Sequence, residues 1–97
     1  MSQRLKFQAA ASREISDATA WYHARKPGLE QEFLAEIDRC SDLIAEHPLR
    51  YPVVHRDIRR LLAKRFPYGV FYRAKKNHIE VLAVFHGQRD PLDWQSR

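Results

Sequence analysis

The segment Ile79-Glu80-Val81-Leu82-Ala83-Val84-Phe85 constrains the fold more than any other part of the chain. Read at the two-residue period of a strand, both of its faces are apolar: Ile79, Val81, Ala83 and Phe85 on one, Leu82 and Val84 on the other. A strand buried on both faces belongs inside a sheet, not at its edge. With 97 residues there is room for one core, so residues 1–97 are expected to form a single domain. Val81–Phe85 is also the longest unbroken apolar run. It falls far short of the roughly 20 residues a membrane-spanning helix needs.

The rest of the chain reads as partners for that strand. Leu5 and Phe7 alternate with Arg4, Lys6 and Gln8, which predicts a short first strand. From Ser12 the period lengthens. Ile15, Ala18, Thr19 and Tyr22 form one helical stripe, with Ser12 placed to cap the helix and Glu14 and Asp17 following. Lys26-Pro27-Gly28 ends it. A second helix starts near Leu29, carries Leu29, Phe33, Ile37, Cys40 and Ile44 on its main stripe, and stops at His47-Pro48. Two helices joined by so tight a turn form an antiparallel hairpin. After Pro52, residues Ile58 to Phe66 alternate loosely, Pro67-Tyr68-Gly69 turns, Val70 to Lys75 is strand-like, and Lys76-Asn77 turns again. The predicted order is β-α-α-β-β-β: an α+β domain with a helical hairpin on a small, mostly antiparallel sheet.

Cys40, the single cysteine, excludes an intrachain disulfide and a cysteine-based zinc site. Its expected role is that of a reduced core residue in a cytoplasmic protein. Met1 to Ser12 holds no apolar stretch of signal-peptide length, which agrees with a cytoplasmic location. Three glycines cannot build a phosphate-cradling loop, and the five histidines have no metal-ligand spacing, so neither a cofactor nor a metal is expected.

Charge is distributed unevenly. Residues 1–48 carry six Lys/Arg and eight Asp/Glu, whereas residues 49–97 carry eleven and four. Arg56, Arg59, Arg60, Lys64 and Arg65 fall within ten residues beside a single acid, Asp57, and Arg73, Lys75 and Lys76 follow on the next strand. Repulsion within such a run is relieved by solvent or by an acidic or nucleic-acid partner. Tyr68, Phe71 and Tyr72 lie close by, the combination that an RNA-binding module would use for stacking. In the tail, His86 and Arg89 follow the buried strand directly; such a pair can serve as acid or base and as anion ligand. Trp21, Leu34 and Leu43 sit off the centres of their helical stripes, where they could line an apolar groove on the hairpin.

Arg59-Arg60-Leu61-Leu62 leading into Arg65-Phe66-Pro67-Tyr68, then Val70-x-Tyr72-Arg73, resembles the ParE branch of the RelE/ParE toxins. So does the ending Val81-Leu82-Ala83-Val84-Phe85-His86-Gly87-Gln88-Arg89-Asp90-Pro91 with Trp94 and Arg97. The likeness spans nearly the whole chain. It implies the toxin of a type II toxin–antitoxin pair, neutralised by a ParD-like antitoxin that wraps its C-terminal segment around the toxin. ParE-type members are described as inhibitors of DNA gyrase that act by binding, and RelE-type members as ribosome-dependent mRNA endonucleases.

Under the gyrase reading the expected target surface is Arg65, Arg73, Arg89 and Trp94. The antitoxin is expected to place a helix near Trp21, Leu34 and Leu43, to add an extended segment to the sheet edge, and to set acids against Arg59, Arg60 and Arg65. Under the nuclease reading, His86 and Arg89 lead the catalytic candidates, with His55 and His78 behind. The tail carries no Tyr or His after Arg89, a departure from the RelE pattern that favours binding over chemistry.

Overall fold

The computed structural model describes residues 3–86. Its elements are β1 (Leu5–Phe7), α1 (Ala9–Arg25), α2 (Leu29–Glu46), β2 (Val53–His55), β3 (Ile58–Leu62), β4 (Tyr68–Ala74) and β5 (Ile79–His86). The sheet runs β1-β5-β4-β3-β2. β1 pairs with β5 in parallel, and the other neighbours are antiparallel. The doubly apolar strand therefore lies inside the sheet, with β1 on one side and β4 on the other. The α+β hairpin-on-sheet architecture is as expected, with one strand more: β2 was not anticipated.

The parity of β5 differs from a plain alternation. Phe71 pairs with Ala83 and Tyr72 with Val81, so Leu82 is an extra residue, a β-bulge. The bulge turns Ile79, Val81 and Val84 toward the helices, and Leu82, Ala83 and Phe85 toward the opposite face. The continuous apolar run thus serves two cores on either side of the sheet.

The hairpin covers one of those faces. α1 starts at Ala9, with Gln8 and not Ser12 at the N-cap position. Glu14, within the helix and not near its N-terminus, accepts a hydrogen bond from the Val84 N–H at 3.0 Å, reaching a stretch of β5 that lies past the end of β1. Gly28 stands at φ 100°, a left-handed conformation that suits glycine, and its N–H donates to Glu30 Oε1 at 2.7 Å. Between the helices and the sheet Tyr22, Phe33, Phe66 and Tyr68 pack as an aromatic cluster, with ring centroids 5.1 to 6.1 Å apart.

The predicted strand over 58–66 ends at Leu62, and the predicted turn at 67–69 is shifted back. Ala63 donates its N–H to Tyr68 O at 2.9 Å, which closes residues 63–68 into a turn with Arg65 at φ 71°. Tyr68 and Gly69 already belong to β4. A Cβ at Gly69 would lie 3.0 Å and 3.2 Å from the Phe71 ring and 3.3 Å from Arg60 Cγ. Phe71 is buried, so its ring has little room to give way. Gly69→Ala is expected to lower stability by about 1–2 kcal/mol, read as an earlier urea midpoint. An unchanged midpoint would show that the ring has room to move.

Candidate functional site

Two carboxylates of α2 hold the turn after β3. Glu36 Oε2 accepts the Lys64 N–H at 2.6 Å. The same carboxylate takes a two-pronged contact from Arg39, Nε at 2.8 Å and Nη2 at 2.6 Å. These bonds, from Arg39 first of all, hold the Glu36 carboxyl down at about 2 despite its partial burial. One turn earlier on the helix, Glu32 Oε1 accepts from Arg65 Nη2 at 2.8 Å. Arg65 is nonetheless 68% exposed in its side chain, with its guanidinium 5.8 Å from the Phe66 ring centre. The turn displays a cation on a fixed backbone.

The basic strand β3 splits its charges between the two faces of the sheet. Arg59 faces the helices and donates from Nη1 to Tyr51 O at 2.7 Å and Leu49 O at 3.1 Å. Beside it, the Tyr72 hydroxyl donates to Pro48 O at 2.7 Å, and burial pushes that phenol up to about 12. Arg59, expected among the antitoxin-facing cations, also braces the α2–β2 connection and is half-buried. Arg60 lies on the opposite face, its stem against Gly69. Arg73 shares that face and is held by Asp57 at 2.9 Å and Glu80 at 3.6 Å, leaving 28% of its side chain exposed. Of the expected target-facing residues, Arg65 is the most openly presented. Arg89 and Trp94 lie outside the described residues.

Of the stacking residues expected for RNA, Phe71 and Tyr72 are buried and offer no open ring face. Tyr68 is half-buried at the edge of the aromatic cluster.

Trp21 and Leu34 are exposed, as expected, and Leu43 is half-buried. They do not form one groove. Leu34 and Ile15 line shallow depressions on the outer side of the hairpin. Trp21 instead borders a cleft of about 490 Å³ between α1 and the adjoining ends of β4 and β5, together with Glu14, Asp17, Tyr68 and His86. A smaller cavity of about 240 Å³ on the other side of Pro67 and Tyr68 also reaches His86.

The histidines are spread out. His86 ends β5 opposite Tyr68. His55 pairs with Ile58, which lies across from Arg73 and so, one strand on, from Glu80. His55 and His78 are thus at the far end of the sheet from His86. Among the described residues no group of three His, Cys, Asp or Glu could hold a metal ion. No helix among them is long and apolar enough to cross a membrane. Cys40 is buried, and loss of solvation raises its thiol to about 11, so it stays protonated.

Glu36 and Glu14 are the site residues that sequence reasoning missed. Glu36 stands three residues before Arg39, a visible helical ion pair, but its reach to Lys64 depends on how the hairpin docks.

Comparison with known proteins agrees with this architecture. Over 92 residues the chain is 24% identical to Toxin ParE2 of Mycobacterium tuberculosis, in strains CDC 1551 and H37Rv; the match covers 94% of this chain and 88% of the relative. The fold is similar to a chain of the chromosomal ParDE system from P. aeruginosa, with a TM-score of 0.77 at 17% identity, covering 88% of this chain and 96% of that one. It is also similar to a chain of the RelBE2 toxin–antitoxin complex from Mycobacterium tuberculosis, with a TM-score of 0.56 at 21% identity over 89% and 99% of the two chains. The family described as the ParE toxin of the type II toxin–antitoxin system parDE matches residues 5–91, and on that extent the chain belongs to the ParE toxin family.

Proposed function

We propose that this chain inhibits DNA gyrase in the cytoplasm by binding, and that a cognate ParD-like antitoxin silences it. The observation that favours binding over catalysis by a pair of histidines is their separation. General acid–base cleavage of RNA needs an acid and a base on either side of one phosphate. His86 stands at one end of β5, with His55 and His78 at the other end of the sheet. Arg65, fixed from α2 and open to solvent, suits a contact made by charge and shape.

The antitoxin reading draws on the similarity to chains from ParDE and RelBE2 toxin–antitoxin complexes. An acidic, amphipathic segment would find Arg65 on the turn, Arg60 on the opposite sheet face and Leu34 on the hairpin.

Pulse-labelling of DNA and protein synthesis just after induction tests the target. DNA synthesis and supercoiling are expected to fail first while translation continues, and His86→Ala is expected to keep that effect if it folds. Collapse of protein synthesis ahead of DNA synthesis would instead mark an mRNA endonuclease and make His86 its leading catalytic candidate.

A further inference from the structure

The sheet is left open at the end of β3. Backbone groups along a strand point alternately to one neighbour and the other. Ala63 donates its N–H to Tyr68 O, so Arg59, Leu61 and Ala63 bond toward β4. Arg60 donates to Pro52 O at 3.1 Å, so Arg60 and Leu62 turn the other way, toward β2. Pro52 has no N–H to extend that ladder, and the chain before it leaves the sheet for the helix side. There Arg50 donates its N–H to His47 O at 3.1 Å, and Pro48 O accepts the Tyr72 hydroxyl. Among the described residues no strand residue stands across from Leu62 on the β2 side. Its N–H and C=O therefore face an open edge, and its side chain is exposed, 50% for the residue as a whole. Sheet edges are ordinarily blunted by a charge or a proline, and here the residue at the gap is a leucine.

The surrounding charge sets the chemistry of what fits the gap. Residues 49–65 hold five Arg and one Lys against a single acid, Asp57, which Arg73 already engages. Arg50, Lys64 and Arg65 are exposed. A second copy would set these cations against their own kind, whereas an acid-bearing strand meets them with opposite charge. A residue directly across from Leu62 points to the same face of the sheet as Leu62 does. On that face the cavity of about 240 Å³ reaches Leu62, Ala63, Phe66 and Pro67, with room for one large apolar side chain.

We propose that an extended, acid-bearing segment of the antitoxin pairs with β3 at Leu62, in line with β2, and sets one apolar side chain into this cavity. The proposal rests on the antitoxin reading given above. Main-chain bonds to Leu62 supply affinity, while the apolar residue and its flanking acids fix the register.

The test is hydrogen exchange at the Leu62 amide, in free toxin and in its complex with purified cognate antitoxin, together with the antitoxin affinity of Leu62→Pro and Leu62→Glu. Leu62→Pro removes the outward N–H and leaves the ladder to β4 complete, the position at which a sheet tolerates proline. Leu62→Glu sets an acid against the incoming acids at an exposed position. In free toxin the Leu62 amide is expected to exchange at least tenfold faster than those of Leu61 and Ala63, and in the complex to slow at least tenfold. Each variant is expected to weaken antitoxin binding at least tenfold, with the Leu62→Glu effect shrinking at high salt. If Leu62→Pro melts far below wild type, the exchange rates and Leu62→Glu decide. A Leu62 amide that exchanges equally fast in free toxin and in the complex would overturn the proposal, and so would unchanged affinity for Leu62→Glu. Protection in free toxin that grows with toxin concentration would assign the edge to a second copy. Loss of gyrase inhibition by Leu62→Glu with antitoxin affinity intact would assign it to the target. Either result would overturn the proposal too. Failure of wild-type toxin to bind any antitoxin would instead strike at the antitoxin reading.

Discussion

Phe33→Ala is expected to remove about 3–5 kcal/mol of folding stability, the range for deleting a fully buried phenyl ring. Phe33 is completely buried on α2. Its ring centre lies 5.2 Å from Tyr22, 5.5 Å from Phe66 and 5.3 Å from Tyr68. Those three rings come from α1, from the turn that displays Arg65, and from the start of β4. Removing the ring opens a cavity where the hairpin, the turn and the sheet meet, and each neighbour also loses an edge or tilted aromatic contact. A domain of this size has about 5–15 kcal/mol in total, so the loss is a large share. The melting point is expected to fall by more than about 12 °C. Phe33→Leu, which keeps most of the volume, is expected to retain most of the stability. Growth inhibition by Phe33→Ala is expected to weaken with the folded population, and saturating antitoxin is expected to raise the melting point again, because it binds the folded state. A shift of only a few degrees for Phe33→Ala would show that the cluster collapses into the space.

Much of the fold was legible because local patterns agreed with the tertiary structure. The stripe Phe33, Ile37, Cys40, Ile44 is the buried face of α2, and the Pro27-Gly28 turn links the helices where expected. What was not legible has two causes. Short edge strands carry little pattern: Val53-Val54-His55 is three residues long and begins after Pro52. A bulge, meanwhile, reads in sequence as simple double-sided burial. Leu82 and Ala83 face the same side although they are adjacent, and only the pairing of Phe71 with Ala83 and Tyr72 with Val81 exposes this.

The site was less legible, since a run of like charges says nothing about which way each points. Arg59 and Arg60 are neighbours, yet one braces backbone carbonyls near Pro48 and the other lies across the sheet. Trp21 and Leu34 look alike as exposed apolar residues of one hairpin, yet they line different depressions. Arg65 was identifiable as a surface cation, but its fixed carriage comes from Glu32 and Glu36, more than 25 residues away in sequence.

Glu36 gives that carriage a pH signature. Its carboxyl is held at about 2, against an ordinary value near 4.5. A carboxyl depressed on folding contributes stability that is fully present above about 4.5 and is lost as pH falls from there toward 2. A shift of that size corresponds to about 3 kcal/mol, reduced to about 2 kcal/mol because the Arg39 partner is open to solvent screening. Glu36→Gln keeps the shape and an acceptor for the Lys64 N–H but gives up the charge. At pH 7 the variant is expected to be less stable than wild type by about 2 kcal/mol. As the pH is lowered toward 2 the two proteins are expected to converge, because wild type loses the same charge by protonation. Other carboxylates titrate in both proteins, so the difference between their denaturation midpoints isolates Glu36. A constant difference from pH 7 to pH 2 would mean that the effect of Glu36→Gln is steric. If the charge at Glu36 also orders the turn, the amide of Lys64 is expected to exchange hydrogen faster in Glu36→Gln than in wild type at equal global stability. The Arg65 side chain would then lose its fixed backbone, and any partner that reads it would bind more weakly for that reason, with Arg65 itself unchanged.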